Sequence, residues 1–133
     1  MNNLKGNIES VTTSGHLSLV KVNVSGITLS AIVIDTPESA SYLKEGNALN
    51  VVFKETEVIV AKGTVAHQIS LQNKISGKIN HIESGELLSK VVASTNVGDV
   101  TSIITTNAVR QLQLNIGDEV TVMIKTNEIM LSE

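Results

Sequence analysis

The chain has 133 residues, a formal net charge of −3, no cysteine and only two aromatic residues, Tyr42 and Phe53. The absence of cysteine excludes disulfides and thiolate metal sites. No apolar run reaches the roughly 20 residues that span a bilayer, and the first residues lack a secretory apolar core. Charges are spread evenly, and stacking platforms for single strands are scarce, so nucleic acid is disfavoured. We expect a cytoplasmic protein without a nucleic-acid or membrane partner.

The sequence repeats itself at an offset of about 71 residues. Gly6 aligns with Gly77, and residues 52–58 align with residues 123–129. The small shifts between other matched positions fall where turns are expected. We therefore predict two tandem units, residues 1–66 and 67–133. Because a unit of this size is near the lower limit for a self-sufficient core, the units are expected to depend on each other and on partner chains.

Apolar residues in each unit follow the period of β-strands. In the first unit, Val20, Val22 and Val24 alternate with polar residues, as in a half-buried strand. The predicted strands are 20–24, 29–34, 51–54 and 58–61 in the first unit, and 78–82, 87–93, 101–105, 119–124 and 128–131 in the second.

One short helix is predicted between the third and fourth strands of each unit. In the second unit it covers residues 107–112, with Thr105 or Thr106 as its cap. Its first-unit counterpart begins near Asp35 or Thr36, before a proline at a favoured helical position. This order predicts an all-β fold of two tandem OB-like, five-stranded Greek-key barrels, each with one short helix.

Four stretches of the second unit match the motifs of one known domain family. Residues 70–79 contain Ser-Leu-Gln-Asn and Gly-Lys-Ile, similar to the family's Ser-x-Arg-Asn and Gly-Lys-Val. Residues 102–109 resemble the Thr-Asn-Glu-Ser segment that opens the helix, and residues 114–120 resemble Leu-Lys-Val-Gly-Asp-Glu-Val. Residues 124–131 resemble the closing Ile-Lys-Ala/Ser-Ser-x-Val-Ile-Leu. By these motifs the second unit resembles the molybdenum-pterin-binding (Mop), or TOBE-like, domain family, almost completely over residues 69–132, while the first unit matches more weakly.

A pair of such units, without a DNA-binding helix-turn-helix or an ATPase, resembles the double-unit molbindins. The resemblance implies a homotrimer that binds molybdate or tungstate at its subunit interfaces, for intracellular storage, buffering or homeostasis. No cofactor is implied, and metal is bound only as the oxyanion. No nucleophile set, paired catalytic carboxylates or phosphate loop indicates an enzyme. Three histidines are too scattered to form a metal site: His16, His67 and His81.

Molybdate is a tetrahedral dianion that accepts hydrogen bonds and donates none. Its site therefore needs N–H groups, hydroxyls and cations, and a helix N-terminus adds amides and a favourable dipole. The resemblance indicates the following oxyanion-binding residues: Ser70, Gln72, Thr105, Thr106, Asn107, Ala108, Lys125 and Thr126. Weaker candidates in the first unit are Asp35, Thr36, Ser39, Lys54 and Glu55.

Three of these positions depart from the family pattern. Gln72 replaces an arginine, Ala108 replaces a serine, and Glu55 stands where a small or hydroxyl residue is expected. A carboxylate beside a dianion is repulsive. These departures favour an alternative function, a regulatory or protein-interaction module in which oxyanion binding is weakened or lost.

Overall fold

The computed structural model describes residues 1–64 and 69–133, which form ten strands, one α-helix and two 3₁₀ turns. The 3₁₀ turns are Glu55–Glu57 and Thr126–Glu128, and the α-helix, α1, is Thr106–Leu112. The strands are β1 Asn2–Ser14, β2 Leu17–Val24, β3 Ile27–Val33, β4 Ala48–Phe53, β5 Ile59–Lys62, β6 Asn73–Ser84, β7 Leu88–Thr95, β8 Gly98–Thr105, β9 Glu119–Ile124 and β10 Met130–Ser132.

The strands form two antiparallel five-stranded sheets with the same topology. One sheet has the order β10-β4-β1-β2-β3 and the other has the order β5-β9-β6-β7-β8. In each sheet a long central strand, β1 or β6, is paired on both sides and carries a bulge that bends it, with register shifts between Ile8 and Ser10 and between Ile79 and His81. The predicted all-β, OB-like pair of barrels is confirmed.

The last strand of each sheet comes from the other half of the sequence. In β5, Ile59 pairs with Met123 of β9, and in β10, Met130 pairs with Val52 of β4. The strands predicted near residues 58–61 and 128–131 therefore exist, but each completes the sheet of the other unit. Neither five-stranded sheet can form from one unit alone.

Two asparagine side chains join the two sheets in the same way. The Asn73 amide donates to the Ser30 carbonyl oxygen at 2.8 Å and accepts from the Ser30 N–H at 2.7 Å. Asn2 forms the same pair of hydrogen bonds with the backbone of Thr101, both at 2.8 Å. Each side-chain amide thus forms the two hydrogen bonds that a backbone residue would form in a β-ladder. The two pairs of bonds are related by the 71-residue offset of the sequence repeat.

The glycines that anchor the repeat lie where two strands cross closely. A Cβ on Gly6 would lie 2.6 Å from the Asn23 carbonyl oxygen, and one on Gly77 would lie 2.7 Å from that of Ser94. Real Cβ atoms essentially never approach so closely. Both positions therefore require glycine for its small size, although their backbone is ordinary strand.

The helix of the second unit agrees with the sequence prediction. Thr105 has an extended backbone, and its hydroxyl accepts from the Ala108 N–H at 3.1 Å, which makes it the N-cap. The C-terminal residue Gln113 adopts the left-handed conformation that ends the helix, with φ at 51°.

The prediction of a helix that begins near Asp35 or Thr36 in the first unit is wrong. The segment after β3 forms consecutive turns, in which the Ala40 N–H donates to the Thr36 carbonyl oxygen at 2.8 Å. The hydroxyl of Ser39 competes with helical bonding, because it donates to that same carbonyl and accepts from the Thr36 N–H. Pro37 does begin a turn, but serine-rich residues do not extend it.

Several predictions concern residues outside the described part of the chain. The predicted boundary between residues 66 and 67 lies there, as does His67, and Ile69 is the first residue described after them. Within the described ranges, no helix is long and apolar enough to cross a membrane. No group of three or more His, Asp or Glu residues there could hold a metal ion.

Candidate functional site

Four of the predicted oxyanion-binding residues line one open cavity of about 510 Å³. Two of them precede β6, and two follow β9. The four are Ser70, Gln72, Lys125 and Thr126. The other described residues that line it are apolar: Leu19, Ile32, Ile59 and Leu71. The cavity therefore has one polar wall from the second unit and one apolar wall drawn mainly from the first.

The β6–β9 ladder brings the two polar segments together. Asn73 pairs with Ile124 at the end of this antiparallel ladder. The residue before Asn73 and the residue after Ile124, which are Gln72 and Lys125, therefore leave the sheet side by side. Asn73 is itself fixed by its two hydrogen bonds to Ser30, so the start of the polar wall is tied to β3.

The apolar wall depends on packing between the two units. Leu19 of β2 pairs with Ile32 of β3, and β3 lies against the 3₁₀ turn Thr126–Glu128. Ile59 reaches the cavity because β5 belongs to the second unit's sheet. These residues could not be predicted from the sequence, since no local pattern indicates which strands exchange between the two units.

The polar wall contains donors and a positive charge. Within residues 1–64 and 69–133 the salt bridges are Met1 amino group to Glu55 and Lys62 to Asp118, so Lys125 pairs with no carboxylate there. Lys125 and Gln72 are exposed at the mouth. One ammonium group, two hydroxyls and one carboxamide are a donor set that suits a small anion.

The residues predicted at the helix N-terminus do not line this cavity. The hydroxyl of buried Thr106 donates to the Gly85 carbonyl oxygen at 2.8 Å and shares a 2.8 Å hydrogen bond with Ser89. The Thr106 N–H donates to the Leu87 carbonyl oxygen, and the Ala108 N–H donates to Thr105. Asn107 lies exposed in the same turn. The structure therefore divides the predicted site into two separate groups.

Three of the weaker first-unit candidates bond to neighbours within their own segment. Thr36 and Ser39 hydrogen-bond each other. The hydroxyl of Tyr42 donates to Asp35 at 3.5 Å. Burial, followed by the negative charge of Asp35, raises the pKa of Tyr42 above its usual value. These side chains lie in the turns that follow β3.

Lys54 and Glu55 occupy a different place, directly after β4. There they correspond to Lys125 and Thr126 after β9 at the same offset of 71 residues. The Glu55 carboxylate accepts a hydrogen bond from the Met1 amino group at 3.0 Å. This end of the first unit thus holds a carboxylate where the second unit has a hydroxyl.

Known proteins resemble the second unit in sequence and the whole chain in fold. The TOBE domain family matches residues 69–131. Molybdenum-pterin-binding protein 3 of Clostridium pasteurianum is 34% identical over 64 residues, which are 47% of this chain and 94% of that protein. This chain belongs to the Mop/TOBE family. Molybdenum-pterin-binding protein 1 of the same organism is 33% identical over 64 residues, again 47% of this chain and 94% of that protein.

A solved structure extends the fold comparison to both units. The cytoplasmic molybdate-binding protein ModG, crystallised with molybdate bound, superposes with a TM-score of 0.90 at 24% identity. The match covers 98% of this chain and 94% of the ModG chain. The tandem architecture is therefore shared, whereas the sequence matches to the Mop relatives cover only about half of the chain.

Proposed function

We propose that this Mop/TOBE protein binds molybdate or tungstate, without catalysis, in the cavity lined by Ser70, Gln72, Lys125 and Thr126. The main support is that two segments distant in the sequence line one cavity. The ammonium group of Lys125 in that cavity has no carboxylate partner among the described residues. The names of the two sequence relatives refer to molybdenum, which supports the same ligand class. Storage, buffering or homeostasis in the cytoplasm is the physiological role we propose.

Each polar residue has a distinct part in this proposal. Lys125 supplies the charge that offsets the dianion, and Ser70 and Thr126 donate from their hydroxyls. Gln72 donates from its carboxamide, which is neutral and cannot form the charged bidentate contact of an arginine. We expect weaker binding than an arginine at this position would give.

We further propose that the protein is a homo-oligomer, a homotrimer as the resemblance implies, with oxyanion sites at the interfaces. The cavity is open, so donors from a second copy can complete the anion's shell. Exposed apolar side chains offer contact surface, notably Ile34 at 79% exposure and Leu87 at 80%. The residues Thr105–Ala108 lie outside the cavity. In this proposal they contact an oxyanion only if assembly of the oligomer places an oxyanion beside them.

A regulatory or protein-interaction module is the second candidate function. The same exposed side chains, Ile34 and Leu87, could instead receive a different protein. Gln72 and Ala108 also reduce the donors available to an anion. In this case the cavity would have lost its ligand while the barrels were retained.

Calorimetric titration with molybdate, tungstate and sulfate distinguishes the two functions. We expect saturable binding of molybdate and tungstate, because the cavity offers donors and one cation to a tetrahedral dianion. Sulfate, equal in charge and shape but smaller, tests whether attraction to charge alone is sufficient. No saturable heat with either heavy oxyanion at micromolar protein would contradict the storage function and favour the interaction module.

A further inference from the structure

The ends of β4 and β9 are built alike, although only one has the side chains of the proposed oxyanion site. Lys54 and Lys125 both precede a 3₁₀ turn with nearly equal backbone angles, φ −74° and ψ 143° against φ −67° and ψ 147°. Asn2 and Asn73, the first residues of the neighbouring strands β1 and β6, form the same pair of hydrogen bonds with the backbone of the facing sheet. The backbone around Lys54 in the first unit therefore matches the backbone around Lys125 in the second unit.

The opposite walls of these two ends also correspond. Leu19 and Ile32, which line the cavity, pair across β2 and β3. At an offset of 71 residues, Lys90 and Ile103 pair in the same register across β7 and β8. The strand β8 lies against the 3₁₀ turn that begins at Glu55, as β3 lies against the turn that begins at Thr126. An additional lysine therefore replaces leucine on the wall of the first-unit end.

The side chain that differs most between the two ends is Glu55, at the position of Thr126. Its carboxylate, whose side chain is 30% exposed, pairs with the Met1 amino group at 3.0 Å. The pKa of Glu55 lies below its usual value because of its own backbone N–H, then the Met1 amino group, with a further contribution from Lys90. Glu55 is therefore an ionised group, and its carboxylate can only accept hydrogen bonds.

We propose that Glu55 is a built-in anion that closes a second oxyanion site, formed by Lys54, Lys90 and the turn after β4. Its carboxylate takes the place of a hydroxyl that would donate to the ligand, and its negative charge opposes the attraction of a dianion to these lysines. The proposal rests on the proposed function, because it assumes that the corresponding cavity at Lys125 binds oxyanions. The chain then has one open site and one closed site, although its two ends share a backbone.

Replacing Glu55 by threonine, the residue of the second unit, tests this inference. We expect Glu55→Thr to add a second saturable class of molybdate sites in calorimetric titration, with the original class unchanged. Adding Lys90→Ala should weaken only the new class, and adding Lys125→Ala should weaken only the original one. Glu57→Thr is the matched control, since it lies in the same turn and its counterpart in the second unit, Glu128, is also glutamate.

The outcomes separate this inference from the proposed function. If the unmodified protein binds molybdate but Glu55→Thr and Glu55→Gln add no sites while remaining folded, the inference is overturned and the proposed function stands. A second class that also appears in Glu57→Thr would overturn it as well. Binding by Glu55→Thr alone, with none by the unmodified protein, would support the closed site and overturn the proposed function. No binding by either protein would overturn both.

Discussion

Replacing Asn73 by alanine is expected to lower the free energy of unfolding by about 2–4 kcal/mol. The side chain is only 1% exposed and satisfies both backbone groups of Ser30. Alanine would leave a buried N–H and a buried carbonyl without partners, and each unpaired group costs about 1–3 kcal/mol. The loss would also loosen the junction between the two sheets, which equilibrium denaturation in urea would detect as a lower midpoint.

An asparagine elsewhere in β6 provides the control for this substitution. Asn80 is exposed, and within residues 1–64 and 69–133 its side chain donates to the Asp99 carboxylate alone, at 3.2 Å. We expect Asn80→Ala to change stability by less than about 0.5 kcal/mol. Equal losses from Asn73→Ala and Asn80→Ala would show that the junction does not depend on the buried amide.

Replacing Lys125 by alanine is expected to weaken molybdate binding by about 10- to 100-fold. Among the described residues that line the cavity the lysine is the one cation, and a hydrogen bond to a charged group contributes about 1.5–3 kcal/mol. Because the side chain is exposed and outside the core, thermal stability without ligand should change little. Titration calorimetry with molybdate measures the affinity, and a melting curve checks the fold.

Lys54→Ala is the matched control, because Lys54 has the same backbone environment at the end of β4. With Glu55 still present, its removal should leave the affinity for molybdate unchanged. Equal weakening by the two substitutions would indicate attraction to overall charge, not a site at Lys125. An unchanged affinity in Lys125→Ala would place the ligand elsewhere.

Local sequence signals predicted most of the secondary structure. Strand alternation in residues 20–24 and the Thr105 cap both depend on neighbouring residues, and the structure confirms them. The prediction of a helix in the first unit was wrong because the Ser39 hydroxyl bonds to the backbone of Thr36. The presence of Pro37 does not indicate this hydrogen bond. Proline indicated where a turn begins but not whether a helix would follow.

Long-range pairing could not be predicted in the same way. The repeat assigned the strand at Ile59 to the first unit, but its partner is Met123 in the second. Local patterns show that a segment is a strand and do not name its neighbour, so the exchange and the apolar wall at Leu19 were missed. The family resemblance supplied Gln72 and Lys125, which the β6–β9 ladder places together.

The sequence signal at Lys90 lies outside the family motifs. The repeat aligns it with Leu19, but neither residue belongs to a family motif. The packing of β8 against the turn at Glu55 shows that this replacement of leucine by lysine lies at the first-unit end. The sequence already indicated a weaker first unit with a carboxylate at Glu55, and the structure adds Lys90 to the positions where the two units differ in charge.

Anomalous diffraction at the molybdenum absorption edge, from crystals grown with molybdate, tests the central claim most directly. We predict an anomalous peak in the cavity between Gln72 and Lys125, within hydrogen-bonding distance of the Thr126 hydroxyl. No such peak is expected beside Glu55 in the unmodified protein. A molybdate-saturated crystal with its anomalous peaks only elsewhere, and none at Lys125, would contradict the assignment of the site.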